Sequence, residues 1–402
     1  MKTQTTGDIP VPHAGTDSSP DSNLVLNPLP NGWKNCHLGD IALRVKDTHS
    51  PSDIGEGLYL GLEHLAQGFP SLVGQGTESD VRSSKTAFKA GDVLFGKLRP
   101  YLRKGARPDF DGICSTDIIV MRGKDVCEPD FLKYLIHTDP FIEYAKATTT
   151  GVQHPRTSWP SLNRFRLSLP PLPEQKKIAH ILSTVQRAIE EQERIIQTTT
   201  ELKKALMHKL FTEGLRNECQ KQTEIGSIPK SWSVLPFDQF VTLQRGHDLR
   251  KQDFRQGSVP VIGATQVIGF HDTANVKAPG VTVVRSGSSA GKPLFIAEDF
   301  WAHNVLLYVK DFRGNHPKFV YYKVIDLDLT QYRQGVAVPT LNRNTFSSVD
   351  LALPSPSEQQ DIADALDAVG NRTEIASRKK AQLQDLFRTL LHDLMTAKTR
   401  AA

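Results

Sequence analysis

The chain has 402 residues, of which 38% are hydrophobic, and a formal net charge of +5. That length leaves room for two or three domains, and the ordinary apolar content, with no run of bilayer length, argues against both a disordered chain and a membrane protein. Cys36, Cys114, Cys127 and Cys219 are scattered and form no C-x-x-C pair, which points to a reducing cytoplasm and away from a disulfide frame or a structural zinc site.

Residues 1–23 are rich in Thr, Ser, Pro, Asp and Gly and read as a disordered tail, not a signal peptide. The segment 24–168 reads as mixed α/β with a strand majority. Its candidate strands, 92–95 and 117–121, are short, β-branched and bounded by Gly or Asp. A helix is expected at 131–136. The loop from Gly96 to Arg107 carries five basic residues and no acid; Lys97, Arg99, Arg103 and Lys104 are candidates for phosphate contacts. A later loop presents Gln153, His154 and Arg156, whose donors and acceptors suit base edges.

Pro170, Pro171 and Pro173 block helix before Glu174, and no further proline follows until Pro229. Apolar residues at Ile178, Leu182, Val185, Ile189, Leu206 and Leu210 keep a period near 3.5, the seam of a coiled coil. A helix over 174–212 would be roughly 58 Å long. With its proline hinge, this spacer occupies 169–213. A second mixed α/β segment is expected over 225–352, with strands at 281–284 and 304–309 and a helix at 319–324. Its charged loops offer Arg250, Arg285 and Lys292 to phosphates, and the small residues between Arg285 and Lys292 let backbone N–H groups approach closely. Arg343 is a further candidate for a base contact. A second hinge and helix fill 353–396, with a seam at Ile362, Leu366, Val369, Leu386, Leu390 and Leu394, interrupted by Thr373 and Lys380.

The two hinges share their wording. Leu-Pro-Pro-Leu-Pro-Glu-Gln-Lys-Lys-Ile-Ala at 169–179 returns 184 residues later as Leu-Pro-Ser-Pro-Ser-Glu-Gln-Gln-Asp-Ile-Ala. The same offset pairs Leu206, His208, Leu210 and Thr212 with Leu390, His392, Leu394 and Thr396. A looser echo links Leu29-Pro30-Asn31-Gly32-Trp33 to Ile228-Pro229-Lys230-Ser231-Trp232. The chain is therefore an internal repeat whose frame is kept and whose filling differs. If the second helix packs on the first it runs back antiparallel, with a pseudo-twofold axis between the halves. Two ordinary amphipathic helices on separate domains are the alternative.

Catalytic signatures are incomplete. Ser286 to Pro293 imitates a phosphate loop, but Ser286 replaces its first glycine and Pro293 its hydroxyl residue. Asp130, Glu143 and Lys146 are out of register for a nuclease cluster. Asp139-Pro140-Phe141 lacks the second proline with which amino-methyltransferases hold a flipped base. His208 and His392 lie on helices without a second ligand.

The Leu29–Trp33 stretch with Leu38-Gly39-Asp40, the stretch Gly96-Lys97-Leu98-Arg99-Pro100-Tyr101, and the repeated hinge resemble the specificity subunit of type I restriction–modification systems. The resemblance covers nearly the whole chain from Leu29 to Thr396. It implies an α+β protein: two α/β target-recognition domains with strand-rich cores, separated by two long helices in an antiparallel coiled coil. It implies a non-catalytic subunit that reads a split, asymmetric sequence in double-stranded DNA, one half per domain. Two methyltransferase subunits and restriction subunits would be its partners. S-adenosylmethionine, ATP and Mg would be bound by those partners, leaving this chain with no cofactor or metal of its own. A scaffold that does not touch DNA, and a nuclease or methyltransferase with an unrecognised site, are the rival readings.

Overall fold

The computed structural model describes residues 24–26, 28–51 and 56–401; the tail expected over 1–23 lies outside them. Two compact units emerge, Met1–Glu191 with Lys380–Ala402, and Gln192–Lys379. The division falls inside both long helices, so each unit owns a globular part and a stretch of each helix.

The first unit is built on a four-stranded antiparallel sheet in the order Ala42–Val45, Ile118–Gly123, Val93–Gly96, Gly105–Ala106. Val93–Gly96 is buried along its whole length. That is why the segment reads as a continuous apolar run rather than an alternating one. A five-stranded sheet lies beside it in sequence, and Lys34–His37 pairs antiparallel with Arg166–Leu169 to tie the two ends of the globular part together. Pro129–Leu135 starts where expected: Pro129 suits the first helical turn, and the Glu128 carboxylate caps the Phe131 amide at 2.7 Å.

The second unit repeats this order and sense with Thr242–Arg245, Leu306–Asp311, Gly280–Val284 and Pro293–Ile296. Pro317–Leu327 takes the place of Pro129–Leu135, and Ser233–Pro236 pairs with Asp350–Leu353 as Lys34–His37 does with Arg166–Leu169.

The long helices span Leu172–Thr212 and Pro356–Met395. In the first unit Ile178, Leu182 and Ile189 share a core with Phe387, Leu391 and Leu394, so the start of one helix meets the end of the other. In the second unit Leu210 and Phe211 share a core with Ile362 and Leu366, and the hydroxyls of Thr199 and Thr373 meet at 2.9 Å. The packing is antiparallel in both. Val185, Leu206 and Leu390 are partly buried against these cores, and Val369 is half-buried. One expected seam residue is misplaced: Leu386 is 46% exposed, while Phe387 is 3% exposed. The apolar arc turns by one residue because the helix packs on the globular part as well as on its partner helix. Phe387 packs tilted against Phe69, with ring centroids 5.2 Å apart, and edge-on to Tyr134 at 5.9 Å, and a 3.6-residue helix drifts from a strict heptad seam.

The repeated hinge does one job twice. Gln175 accepts from the Glu128 amide at 2.9 Å and donates to the carbonyls of Val126 and Pro170. Gln359 accepts from the His316 amide at 2.9 Å and donates to Asn315 and the Pro354 carbonyl. Each amide thus fixes its long helix to the turn preceding Pro129–Leu135 or Pro317–Leu327 of its own unit. The neighbouring carboxylate holds the segment that follows the other long helix. Glu174 accepts from the Trp33 indole at 3.0 Å and takes both forks of Arg400. Glu358 accepts from the Leu215 amide at 3.2 Å, with Arg216 at 3.8 Å. Arg216 and Arg400 are themselves separated by the repeat offset of 184.

Candidate nucleic-acid interface

The strands Val93–Gly96 and Gly280–Val284 run into two loops that follow the same backbone path. After the first, the Lys97 amide donates to Asp117 O at 2.9 Å and its carbonyl accepts from Thr157 N at 3.1 Å. After the second, Arg285 donates to Val305 O and accepts from Leu341 N, both at 2.7 Å. Two residues on, Arg99 N donates to Pro155 O at 2.8 Å and Gly287 N to Pro339 O at 2.9 Å. Both residues have positive φ, 51° and 96°; glycine adopts it freely, whereas Arg99 carries some strain. The basic loop of one unit and the small-residue loop of the other are equivalent pieces of chain with different side chains.

Each loop is stitched to a tight turn. Thr150 and Arg156 exchange backbone hydrogen bonds at 2.9 and 3.0 Å, and Arg333–Gln334 pairs with Thr340–Leu341. Gly151 and Gly335 have φ of 89° and 84°. A Cβ there would meet the His154 carbonyl at 3.3 Å or the Val338 carbonyl at 3.1 Å. The residue after each glycine, Val152 or Val336, stands fully exposed at the tip.

The candidate side chains divide into free and engaged groups. Lys97, Arg99 and Lys292 make no side-chain hydrogen bond or ion pair with described residues, and Gln153 and His154 are exposed. Arg103 instead pairs with Asp139 and donates to the His137 carbonyl, while Lys104 donates to the Leu62 carbonyl at 2.6 Å. Those cations hold the loop shut against its own domain. Arg156 forks onto Asp117 at 2.8 and 3.2 Å, and this hydrogen-bonded guanidinium holds the Asp117 carboxyl below its ordinary range. Arg250 pairs with Asp253 at 2.7 Å. Arg343 donates to the Leu243 carbonyl at 2.7 Å.

In the second unit the turn borders an open cleft of about 810 Å³, whose lining includes Arg245, His247, Arg285, Asn304, Gln334 and Arg343. In the sequence Arg245 is one of several basic residues, with Arg250 and Lys251, interspersed with Asp248 and Asp253, and nothing local singles it out. The cleft joins the end of one edge strand, a strand-end loop and a turn some ninety residues apart from each other in places, and no local pattern announces that meeting.

Burial pushes the Cys36 thiol up to about 11 and those of Cys114 and Cys127 up to about 12, so these three are packing residues. Among the described residues no group of three or more His, Cys, Asp or Glu is placed to hold a metal ion, and no helix is long and apolar enough to cross a membrane.

Residues 72–199 and 229–385 match the family described as type I restriction modification DNA specificity domain. The chain is 23% identical over 414 residues to the type I restriction enzyme MjaVIII specificity subunit of Methanocaldococcus jannaschii, covering 92% of this chain and 94% of that one. It is 28% identical over 162 residues to the EcoDI specificity subunit of Escherichia coli, covering 39% and 35%. The fold is similar to that of the type I restriction–modification S subunit from M. genitalium, with a TM-score of 0.64 at 15% identity over 93% of this chain and 98% of that one. A second solved structure, described as the structural basis of complex assembly and conformational transition of the type I R-M system, gives a TM-score of 0.50 at 18% identity, covering 91% and 98%.

Proposed function

Since the chain belongs to the type I restriction–modification DNA specificity family, we propose that it reads a bipartite, asymmetric duplex target, one half-site per unit, as a non-catalytic subunit. The observation that carries this reading is the pair of strand-end loops and tight turns, equal in backbone and unequal in side chains. A repeated frame with changed filling is what two readers of different half-sites require. Lys97, Arg99 and Lys292 are free to contact phosphates and set the register of each unit on the duplex. Gln153 and His154 face bases from the first turn.

In this reading two methyltransferase subunits and restriction subunits dock on the chain in the cytoplasm, and S-adenosylmethionine, ATP and Mg are theirs. One similar structure concerns complex assembly of a type I system, which supports docking.

The test is a mobility-shift titration of duplexes at several salt concentrations with the methyltransferase subunits present, followed by mapping of the methylated positions. Two short half-sites at a constant gap, with affinity falling steeply as salt rises, are expected. A scaffold would show no duplex preference and no salt slope. Methylation or cleavage by the purified chain alone would overturn the non-catalytic role.

A further inference from the structure

Resting on the DNA-specificity reading, we propose that the cleft of the second unit reads guanine, through Arg245 and Arg285. Neither guanidinium makes a side-chain hydrogen bond or ion pair with a described residue, although both line the same cleft. Nearly every other arginine around the candidate loops is engaged: Arg103, Arg107, Arg156, Arg250 and Arg343 have partners within the fold. Arg285 is half-buried, and its backbone is clamped on both sides by 2.7 Å hydrogen bonds. Its planar fork is therefore aimed from a fixed root, as bidentate recognition of the guanine O6 and N7 acceptors demands.

The rest of the lining separates base reading from phosphate binding. A phosphate site needs donors only. This cleft contains no lysine, and it mixes donors with acceptors: Gln244 and Gln334 have no side-chain partner among the described residues, and the Asp248 carboxylate sits at its edge, held by the Asn304 amide at 2.7 Å. Amides and a carboxylate beside arginines match the mixed edges of base pairs. The turn that ends in the fully exposed Val336 rises from the same cleft.

The first unit fills the corresponding place differently. Asp117, whose carbonyl takes the position of the Val305 carbonyl, turns its carboxylate onto Arg156 and occupies that fork. The two half-sites should differ accordingly, with arginine-read guanine in the half belonging to the second unit.

The experiment uses the full chain assembled with its methyltransferase subunits. Once the wild-type target is mapped, a pool of duplexes varied one base pair at a time in both half-sites is titrated with wild type, Arg245→Ala, Arg285→Ala and Arg285→Lys. Each alanine variant should lower the preference for guanine at one position of one half-site about 10- to 100-fold. The salt slope should stay nearly unchanged, and so should the other half-site, which doubles as the folding control. Arg285→Lys, keeping the charge without the fork, should behave like Arg285→Ala. A uniform loss across all sequences with a shallower salt slope, or recovery by lysine of affinity without the guanine preference, would make these groups phosphate contacts and overturn the proposal while leaving the specificity role intact. Lack of any sequence preference in the wild-type assembly would instead overturn the reading on which it rests.

Discussion

Gln175 and Gln359 each hydrogen-bond buried and half-buried backbone groups at the start of a long helix, and both are 1% exposed. Leucine has a similar volume but no donor or acceptor. Gln175→Leu leaves the Glu128 amide and the Pro170 carbonyl without this partner, at a cost of about 1–3 kcal/mol for each buried group left unsatisfied. Urea unfolding followed by a tryptophan kept only in the first unit should move to a lower midpoint, and Gln359→Leu should do the same to the second unit alone. His137 adds a pH dependence to the first unit. Burial, reinforced by Arg103 and Lys133 and opposed by a hydrogen bond to the Gly105 carbonyl, depresses its pKa from 6.5 to about 4. The folded imidazole stays neutral over that window while the unfolded one takes up a proton. Stability is then full above pH 6.5 and falls as pH drops toward 4, by at most about 1.4 kcal/mol per pH unit. His137→Gln should flatten that slope in acid unfolding curves; an unchanged slope would assign the acid sensitivity to other groups.

Thr199 and Thr373 show the same economy at the scale of an element. Both interrupt an apolar seam in sequence, and the folded helices place their hydroxyls together at 2.9 Å, with each hydroxyl also bonded to a carbonyl of its own helix. A single Thr373→Val leaves Thr199 its bond to the Ile195 carbonyl but no cross-helix partner, so a loss of about 1 kcal/mol is expected. The double change to valine should recover most of that loss, because an apolar pair of the same shape needs no partner; a double-mutant cycle in urea measures the coupling. The sequence carries much of this level of structure. Proline brakes and apolar period locate both helices, and runs such as Ile118-Ile119-Val120 locate the central strands, because these signals are local. A strict heptad places Leu386 on the seam because it ignores the globular surface that also packs on Phe387. The cleft was out of reach for a related reason: Arg245, Arg285 and Gln334 meet only through sheet pairing, and basic residues in a loop look alike whether free, as Arg99 is, or locked onto a carboxylate, as Arg103 is.

At the scale of the whole molecule, the proposed function makes the helices a spacer between two readers, and this can be tested without touching either reader. Each helix contributes to the core of both units, so an insertion has to preserve the phase of the seam. Four residues are the nearest whole number to one helical turn; they add about 6 Å and leave only about 40° of excess rotation. Placed after Thr199, they lie between Ile189 of the first core and Leu210 of the second, away from the hinge glutamines. Since one turn of B-DNA covers about 34 Å in roughly ten base pairs, the extra length corresponds to about two base pairs. The variant assembled with methyltransferase subunits should methylate the same two half-sites across a gap one or two base pairs longer, with activity on the original target reduced. Methylation mapping on a pool of duplexes with graded gaps decides the matter. A changed half-site sequence, or an unchanged gap with full activity, would mean that the helices do not set the distance between the readers.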